Sequence, residues 1–351
     1  MPSIKAALDI GEGTLGLLLL AAAAGAILSF PLAGRLTDSI GAARTSRLVA
    51  VLYAPSLPAL ALASEPWHLA LLLFVFGATH GGMDISMNAW GAEVERARGR
   101  STMVSFHAMW SLGAGVGAGV GALAIASGLS VGAHFTVHAL LLAGPTLWLA
   151  SVPWQSRMGR GRKAPLIALP RGALVWVGVL GLCAMIGEGA IADWGALLLI
   201  ERLAADEARA VLAFSFFSVA MVAMRLAGDR IVARLGPVRV ARIGGAVTAA
   251  GTVLILLAPS VEIAWIGFAV TGAGTATIAP LVYARAARDP VIPPGAALAG
   301  VSTLGYGSLF IGPPLIGAIA EVASLTAGFW VLVGMALLVV ALAGALRSPA
   351  S

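Results

Sequence analysis

Long apolar runs separated by short polar segments repeat along the whole chain. Eleven such runs are bounded by charged or turn-forming residues. They lie at about 13–34, 46–64, 66–90, 101–127, 131–152, 172–199, 207–228, 238–258, 262–284, 295–320 and 325–346. A helix of about 20 apolar residues crosses the hydrocarbon core of a bilayer. The pattern therefore predicts an all-α, polytopic membrane protein with eleven visible spans.

The amino-acid composition is typical of a membrane protein, and it excludes several other classes of protein. Of the 351 residues, 59% are hydrophobic and 11% are charged, whereas soluble proteins carry about 25% charged residues. The single cysteine, Cys183, excludes a disulfide scaffold. The net charge is +6, but the basic residues are scattered between apolar runs. Because nucleic-acid binders gather such residues on one soluble face, no nucleic-acid partner is expected.

A polar segment divides the chain into two halves. Residues 153–171 form the longest polar stretch between runs and hold a cluster of Arg and Lys among prolines and glycines. Such a stretch is typical of a linker. We predict an N-terminal bundle of five helices at 1–152, a cytoplasmic linker at 153–171 and a C-terminal bundle of six helices at 172–351.

The positions of arginine predict the orientation of the spans. Connections rich in Arg alternate with connections that hold few, and positively charged connections stay in the cytoplasm. If eleven helices cross the membrane with the Arg-rich connections in the cytoplasm, Arg347 and the C-terminus are cytoplasmic. Met1 then lies on the opposite side of the membrane. Aligning the two halves with an offset of 195 positions matches Arg35 with Arg230. The same alignment matches the helix at 172–199 with residues before Met1. We therefore expect a twelve-helix design of repeated halves that lacks its first helix.

One short motif carries a family resemblance. The segment at 34–44, GRLTDSIGAAR, resembles the loop signature of the major facilitator superfamily, which reads roughly G-x-L-a-D-r-x-G-r-k. Gly34, Asp38 and Gly41 match in place, and Arg44 is displaced by a position or two. The resemblance implies a transporter of two six-helix halves.

The second half carries a related pattern at 228–230 (GDR) and 234–236 (RLG). A carboxylate at a helix end can pair with Arg or with a neighbouring helix terminus in one transport state only. Asp38 and Asp229 are therefore the predicted acids of a cytoplasmic latch. The latch residues are Gly34, Asp38, Gly41, Arg44, Asp229, Arg230, Arg234 and Gly236. The alternative is that these Arg-rich turns only follow the positive-inside rule and cap helices.

Three further segments, 2–8, 84–89 and 312–317, are similar to a poorly characterised bacterial branch of that superfamily. The resemblance implies a multi-pass protein of the inner (plasma) membrane and points to no settled substrate. A glycine ladder at 113–121 is a pattern that lets helices approach closely in lipid.

Ionisable residues inside spans are costly, so each is a candidate functional residue. In the third run, Asp84 and Asn88 lie four residues apart and share one helical face with His80. His107 lies at a similar depth in the next run, so Asp84 and His107 are predicted to form a titrating pair. An inert polar contact between the helices is the alternative.

In the second half, Glu188 lies beyond the midplane of its run and is the predicted proton carrier. Asp193 lies about a turn further outward and is a second candidate. Arg225 stands four residues before Asp229, which predicts an ion pair within one helix.

Together these features predict a secondary active transporter that moves a small solute by alternating access, with proton exchange. No phosphate-binding loop is present, so no nucleotide is expected, and neither a cofactor, a metal nor enzymatic activity is predicted. The alternative function is a truncated relic that does not transport, or a membrane receptor. The residues leave open the substrate, the direction of transport, and the choice between proton and sodium coupling.

Overall fold

The computed structural model describes residues 8–10, 12–156, 170–205 and 207–347. All regular structure in these ranges is helical. The α-helices, α1 to α13 in chain order, are Glu12–Ile40, Ala42–Ala59, Pro66–Arg98, Met103–Ala126, Val131–Ala150, Ala173–Leu203, Glu207–Leu235, Pro237–Leu257, Val261–Thr275, Ile278–Ala286, Pro294–Tyr306, Ser308–Val322 and Leu325–Leu342. Short 3-10 helices follow α2 and α13 at Leu60–Leu62 and Ala343–Leu346.

Ten segments of the described ranges are long and apolar enough to cross a bilayer. Helices α9 and α10 together make one of them, and α11 and α12 make another. Helix α4, predicted as the fourth span, is a helix of 24 residues but is not one of the ten. The all-α membrane fold is confirmed. Helix α1 continues to Ile40, so most of the motif at 34–44 is helical and not a loop.

The chain divides into two compact units, each assembled from separate stretches of sequence. Unit 1 contains the described residues of Met1–Val94, Gly113–Leu169 and Asp289–Gly300. Unit 2 contains those of Glu95–Leu112, Pro170–Arg288 and Val301–Ser351. Helices α3, α4 and α11 each contribute residues to both units. The first turns of α11 therefore belong with the first half of the chain, and those of α4 with the second.

Unit 1 packs its helices through small residues. A Cβ atom on Gly77 of α3 would overlap the backbone of Ala22 in α1, and one on Gly81 would lie 2.8 Å from the Cα of Ala26. Such residues let helix backbones approach closely where lipid gives no hydrophobic drive. Leu60, Leu69 and Leu73 form a cluster of fully buried leucines in the same unit.

Unit 2 has the larger described core. Its fully buried aromatic side chains are Phe217, Phe268 and Phe329. Helices α8 and α9 meet at glycines, since a Cβ on Gly274 would lie 2.5 Å from the amide nitrogen of Thr248.

The close contact predicted for the ladder at 113–121 is wrong at the two ladder glycines for which surroundings are described. Added Cβ atoms on Gly113 and Gly117 would have no heavy atom within 4 Å. A small residue permits close packing but does not require it, because the facing helix must also be in reach.

Candidate functional site

The first predicted latch acid lies against the start of a distant helix. Asp38, in the last turn of α1, is 1% exposed. Its carboxylate accepts hydrogen bonds from the backbone N–H groups of Gly295 at 2.9 Å and Ala296 at 3.1 Å. These groups belong to the first turn of α11, where backbone N–H groups lack partners within the helix and the dipole favours negative charge.

The second latch acid makes the same kind of contact. The carboxylate of Asp229, in α7, accepts from the backbone N–H groups of Val104 at 3.1 Å and Ser105 at 2.9 Å, in the first turn of α4. The hydroxyl of Ser101 donates to it at 3.0 Å, and the hydroxyl of Ser105 donates as well. Four donors therefore converge on this carboxylate.

The two contacts are equivalent positions of an internal repeat. Asp229 follows Asp38 by 191 positions, and Gly295 and Ala296 follow Val104 and Ser105 by the same separation. The offset of 195 positions aligns the arginines and Gly41 of the motif, but not Gly34 or the acid. The repeat is therefore real, but its register at the acids is shorter than the arginine pattern indicates.

A third carboxylate explains how the two helix starts differ. Glu95, 3% exposed, accepts from the backbone N–H groups of Thr102 at 2.7 Å and Met103 at 2.9 Å, and it forms an ion pair with Arg288. The residues 191 positions later are Pro293 and Pro294. Proline has no N–H group, so the start of α11 needs no such acceptor.

Sequence reasoning missed Glu95. In the sequence it lies in the Arg-rich segment after the third apolar run, which predicts a cytoplasmic connection, whereas the structure places it near the end of α3. Glu95 precedes Thr102 and Met103 by 7 and 8 positions, which is beyond the reach of an N-cap side chain, so the capping rule does not indicate it. The pairing with Arg288 links residues nearly 200 positions apart, so no local pattern could indicate it.

The remaining latch residues have two kinds of surroundings. Gly41 and Gly236 precede α2 and α8 with φ angles of 97° and 77°, which L side chains rarely adopt. A Cβ on Gly34 would lie 2.7 Å from the carbonyl oxygen of Gly295, so this glycine permits the close contact of α1 and α11. The side chains of three predicted latch residues are exposed: Arg44, Arg230 and Arg234.

A polar cluster lies inside the membrane-spanning part of unit 2. Arg225 of α7 is buried, and its Nη2 lies 3.8 Å from a carboxylate oxygen of Glu188 in α6. Its Nε donates to the carbonyl oxygen of Ala276 at 3.0 Å, and its Nη1 donates to the hydroxyl of Ser111. The structure therefore does not bring Arg225 and Asp229 together as the predicted ion pair. The Asp229 carboxylate is occupied by the start of α4, and Arg225 turns toward Glu188.

His107 lies in the same unit and stacks on an aromatic ring. Its imidazole centroid is 5.5 Å from that of Tyr283, and the Tyr283 hydroxyl accepts a hydrogen bond from Ser302. Asp84 belongs to unit 1, so the predicted pairing of Asp84 with His107 stays a prediction.

The predicted stripe on α3 forms a local network. The side-chain amide of Asn88 donates to the backbone oxygen of Asp84 at 2.8 Å and to its carboxylate at 3.0 Å. One turn away, Nδ1 of His80 lies 3.2 Å from the hydroxyl of Tyr53. Both Asp84 and Asn88 are buried. Asp84 and Asn88 therefore contact each other along α3, and the role of this stripe stays a prediction.

Asp193 differs from the other candidates because its side chain is exposed. It lies in α6 beside Trp194, whose buried Nε1 makes no hydrogen bond in the described part of the chain.

Comparison with known proteins decides the family. The profile of the Major Facilitator Superfamily matches residues 1–290. A relative from Sinorhizobium fredii, described as an uncharacterized transporter, y4wD, is 39% identical over 348 residues, covering 99% of this chain and 92% of the relative. The chain belongs to the major facilitator superfamily. It is therefore a multi-pass membrane transporter, as the sequence predicted.

Solved structures of the superfamily share the fold. The transporter FucP in its outward conformation matches with a TM-score of 0.79 at 14% identity, covering 99% of this chain and 94% of that one. The proton:xylose symporter XylE matches with a TM-score of 0.78 at 15% identity, covering 97% and 88%. At these identities the likeness concerns the fold alone.

Within this superfamily fold, the described polar residues form two kinds of site. Asp38, Asp229 and Glu95 place carboxylates on helix starts, where they accept hydrogen bonds from backbone N–H groups. Glu188 and Arg225 place opposite charges inside membrane spans, where a change of protonation alters the balance of charge.

Proposed function

We propose that this chain is a proton-coupled secondary transporter, which moves a small solute across the bacterial inner membrane by alternating access. The observation that carries the proposal is the ion pair of Glu188 and Arg225 within two candidate membrane spans. Charged side chains in such positions cost free energy unless they are paired, and they mark ion and substrate pathways.

The pair supplies a physical route to coupling. Protonation of Glu188 removes its negative charge and leaves the buried guanidinium of Arg225 without a counter-charge. Breaking a fully buried pair costs about 3–5 kcal/mol, and the cost is smaller here because the side chain of Glu188 is 37% exposed. A conformation that restores compensation is then favoured, so proton binding and conformational change are linked.

The contacts of Asp38 and Asp229 support alternating access. Each acid stabilises one arrangement of its helix start, and each contact must break if that helix moves away. Charge-assisted hydrogen bonds of this kind contribute about 1.5–3 kcal/mol each. Contacts of this size are able to bias an equilibrium between transport states.

Structural relatives support proton coupling by analogy. XylE is described as a proton:xylose symporter, and FucP of E. coli as a fucose:proton symporter. We extend coupling, but neither sugar, to this chain.

The orientation belongs to the same proposal. Arg-rich connections place the C-terminus in the cytoplasm, with five helices before the linker and six after it. A C-terminal green fluorescent protein fusion should fluoresce, whereas a C-terminal alkaline phosphatase fusion should be inactive. The reverse result would contradict the orientation.

Transport is tested with the full chain in liposomes that contain a pH-sensitive dye. Adding a transported solute should change the internal pH, and the change should disappear in Glu188→Gln. Glu321→Gln removes an exposed acid near the end of α12 and serves as the matched control. Solute uptake that needs sodium and moves no protons would refute the proposed coupling.

A further inference from the structure

We propose that the transported solute carries a carboxylate, which replaces the side chain of Glu188 on the guanidinium of Arg225. The proposal rests on the transport function proposed above and names the class of its substrate.

The guanidinium is held in place with one edge available. Nε is fixed by the carbonyl oxygen of Ala276, and Nη1 by the hydroxyl of Ser111. The Nη2 group faces Glu188 at 3.8 Å, which is longer than a hydrogen bond of about 2.7–3.2 Å. A guanidinium presents five N–H donors in a planar fork that suits a carboxylate. Here the surrounding protein orients the fork but leaves its Nη2 edge loosely paired.

Glu188 is the accessible member of the pair. Its side chain is 37% exposed, whereas that of Arg225 is 4% exposed. The neighbouring residues Gly187 and Gly189 face open space, since an added Cβ on either would have no heavy atom within 4 Å. A solute that reaches this pair therefore meets the exposed side chain of Glu188 first, and it reaches the buried guanidinium of Arg225 by replacing that side chain.

The balance of charge selects an anion. With Glu188 ionised, the pair is neutral, and an arriving carboxylate is repelled. A proton that binds to a Glu188 carboxylate oxygen leaves one positive charge on Arg225. A solute carboxylate then restores neutrality by accepting from Nη2, whereas a neutral solute does not and a cation adds to the excess. One proton and one monoanion thus cross together with no net charge.

The other titratable groups near this pair lie on α4, α6, α9, α10 and α12. His107 of α4 and Tyr283 of α10 lie in the same unit and stack on each other. Of the other helices packed against α6, α13 has no titratable side chain, and Glu262 and Glu321 lie near the ends of α9 and α12. Asp193 lies on α6 itself, more than a turn from Glu188. Glu188 is therefore the acid that faces the guanidinium.

The test measures binding to the detergent-purified full chain with matched pairs of probes. The pairs are L-lactate with 1,2-propanediol, phenylacetate with phenethyl alcohol, and D-galacturonate with D-galactose. Thermal unfolding is followed against probe concentration at about pH 5.5 and about pH 7.5, because the lower pH favours the protonated form of a carboxyl group. At least one acid should bind wild type about tenfold more tightly at the lower pH, because binding takes up one proton. The neutral partners should not bind.

Variants separate the roles of the two residues. Glu188→Gln should bind the acid equally at both values of pH, and it should retain solute exchange while losing accumulation driven by a pH gradient. Arg225→Gln should lose binding. Arg225→Lys keeps the charge without the fork, so it should bind about tenfold more weakly and shows whether loss in Arg225→Gln is due to misfolding. Glu321→Gln should behave as wild type.

Each contrary result has a distinct meaning. The proposal is overturned if no acid binds, if a neutral partner binds as well as its acid, or if Arg225→Gln retains binding. A neutral solute that drives proton movement in liposomes would overturn the substrate class and leave the proposed transport function intact. An acid that binds as expected but moves no protons would leave the anion site intact and overturn the coupling.

Discussion

Replacing Asp38 with Asn is expected to loosen the start of helix α11. The substitution keeps the size of the side chain and removes its charge. The Asn side chain keeps one acceptor oxygen, which can accept from only one of the N–H groups of Gly295 and Ala296. Its NH₂ group then faces the other N–H group and cannot accept from it. One of the two hydrogen bonds at 2.9 and 3.1 Å is therefore lost, together with the charge at the helix start.

The magnitude follows from the burial of this contact. Asp38 is 1% exposed, so water does not replace the lost partner. A hydrogen bond to a charged group contributes about 1.5–3 kcal/mol, and a charge at a partly buried helix terminus contributes up to about 2 kcal/mol. We expect a loss of about 2 kcal/mol, which is about 30-fold in the equilibrium for opening this helix start.

Amide hydrogen exchange measures that opening directly. Peptides covering 294–300 should exchange about 30-fold faster in Asp38→Asn than in wild type. The control is Asp289→Asn, because Asp289 accepts from the N–H groups of Val291 and Ile292 within its own loop. That variant should change exchange in the loop and leave 294–300 protected. Unchanged exchange at 294–300 in Asp38→Asn would refute the view that the carboxylate holds this helix start.

Three further substitutions test other parts of the fold. Gly274→Val should destabilise the protein by about 1–3 kcal/mol because the new atoms meet Thr248. The control is Gly113→Val, which faces open space and should leave the unfolding temperature unchanged. Equal effects of the two substitutions would contradict the α8–α9 contact. Glu95→Gln should speed amide exchange in the first turn of α4 by about tenfold, since it loses charge at the helix start, and unchanged exchange would argue against that capping. Gly41→Ala should cost about 1–3 kcal/mol in thermal unfolding, because φ 97° and ψ 149° lie in a region almost confined to glycine and a Cβ would lie 2.6 Å from that of Ser156. A neutral result would contradict this strain.

The candidate site shows how far local patterns reach. The motif around Asp38 and its partial copy around Asp229 identified both latch acids, because the carboxylate and glycine positions of a turn are local features. Their partners at the starts of α11 and α4 were expected only as unnamed helix termini. These contacts join residues more than 100 positions apart, and they depend on which helices are neighbours.

Hydropathy was sufficient to establish a helical membrane protein, because a bilayer imposes one length and one composition on every span. The same uniformity hides which helices touch and which polar side chains meet. The tertiary structure decided that Arg225 turns to Glu188 and not to Asp229 on its own helix. It also brought Glu95 to the start of α4 and placed the close glycine contacts on α8 and α9. Those choices depend on distances across helices, and a one-dimensional pattern of apolar and polar residues does not contain them.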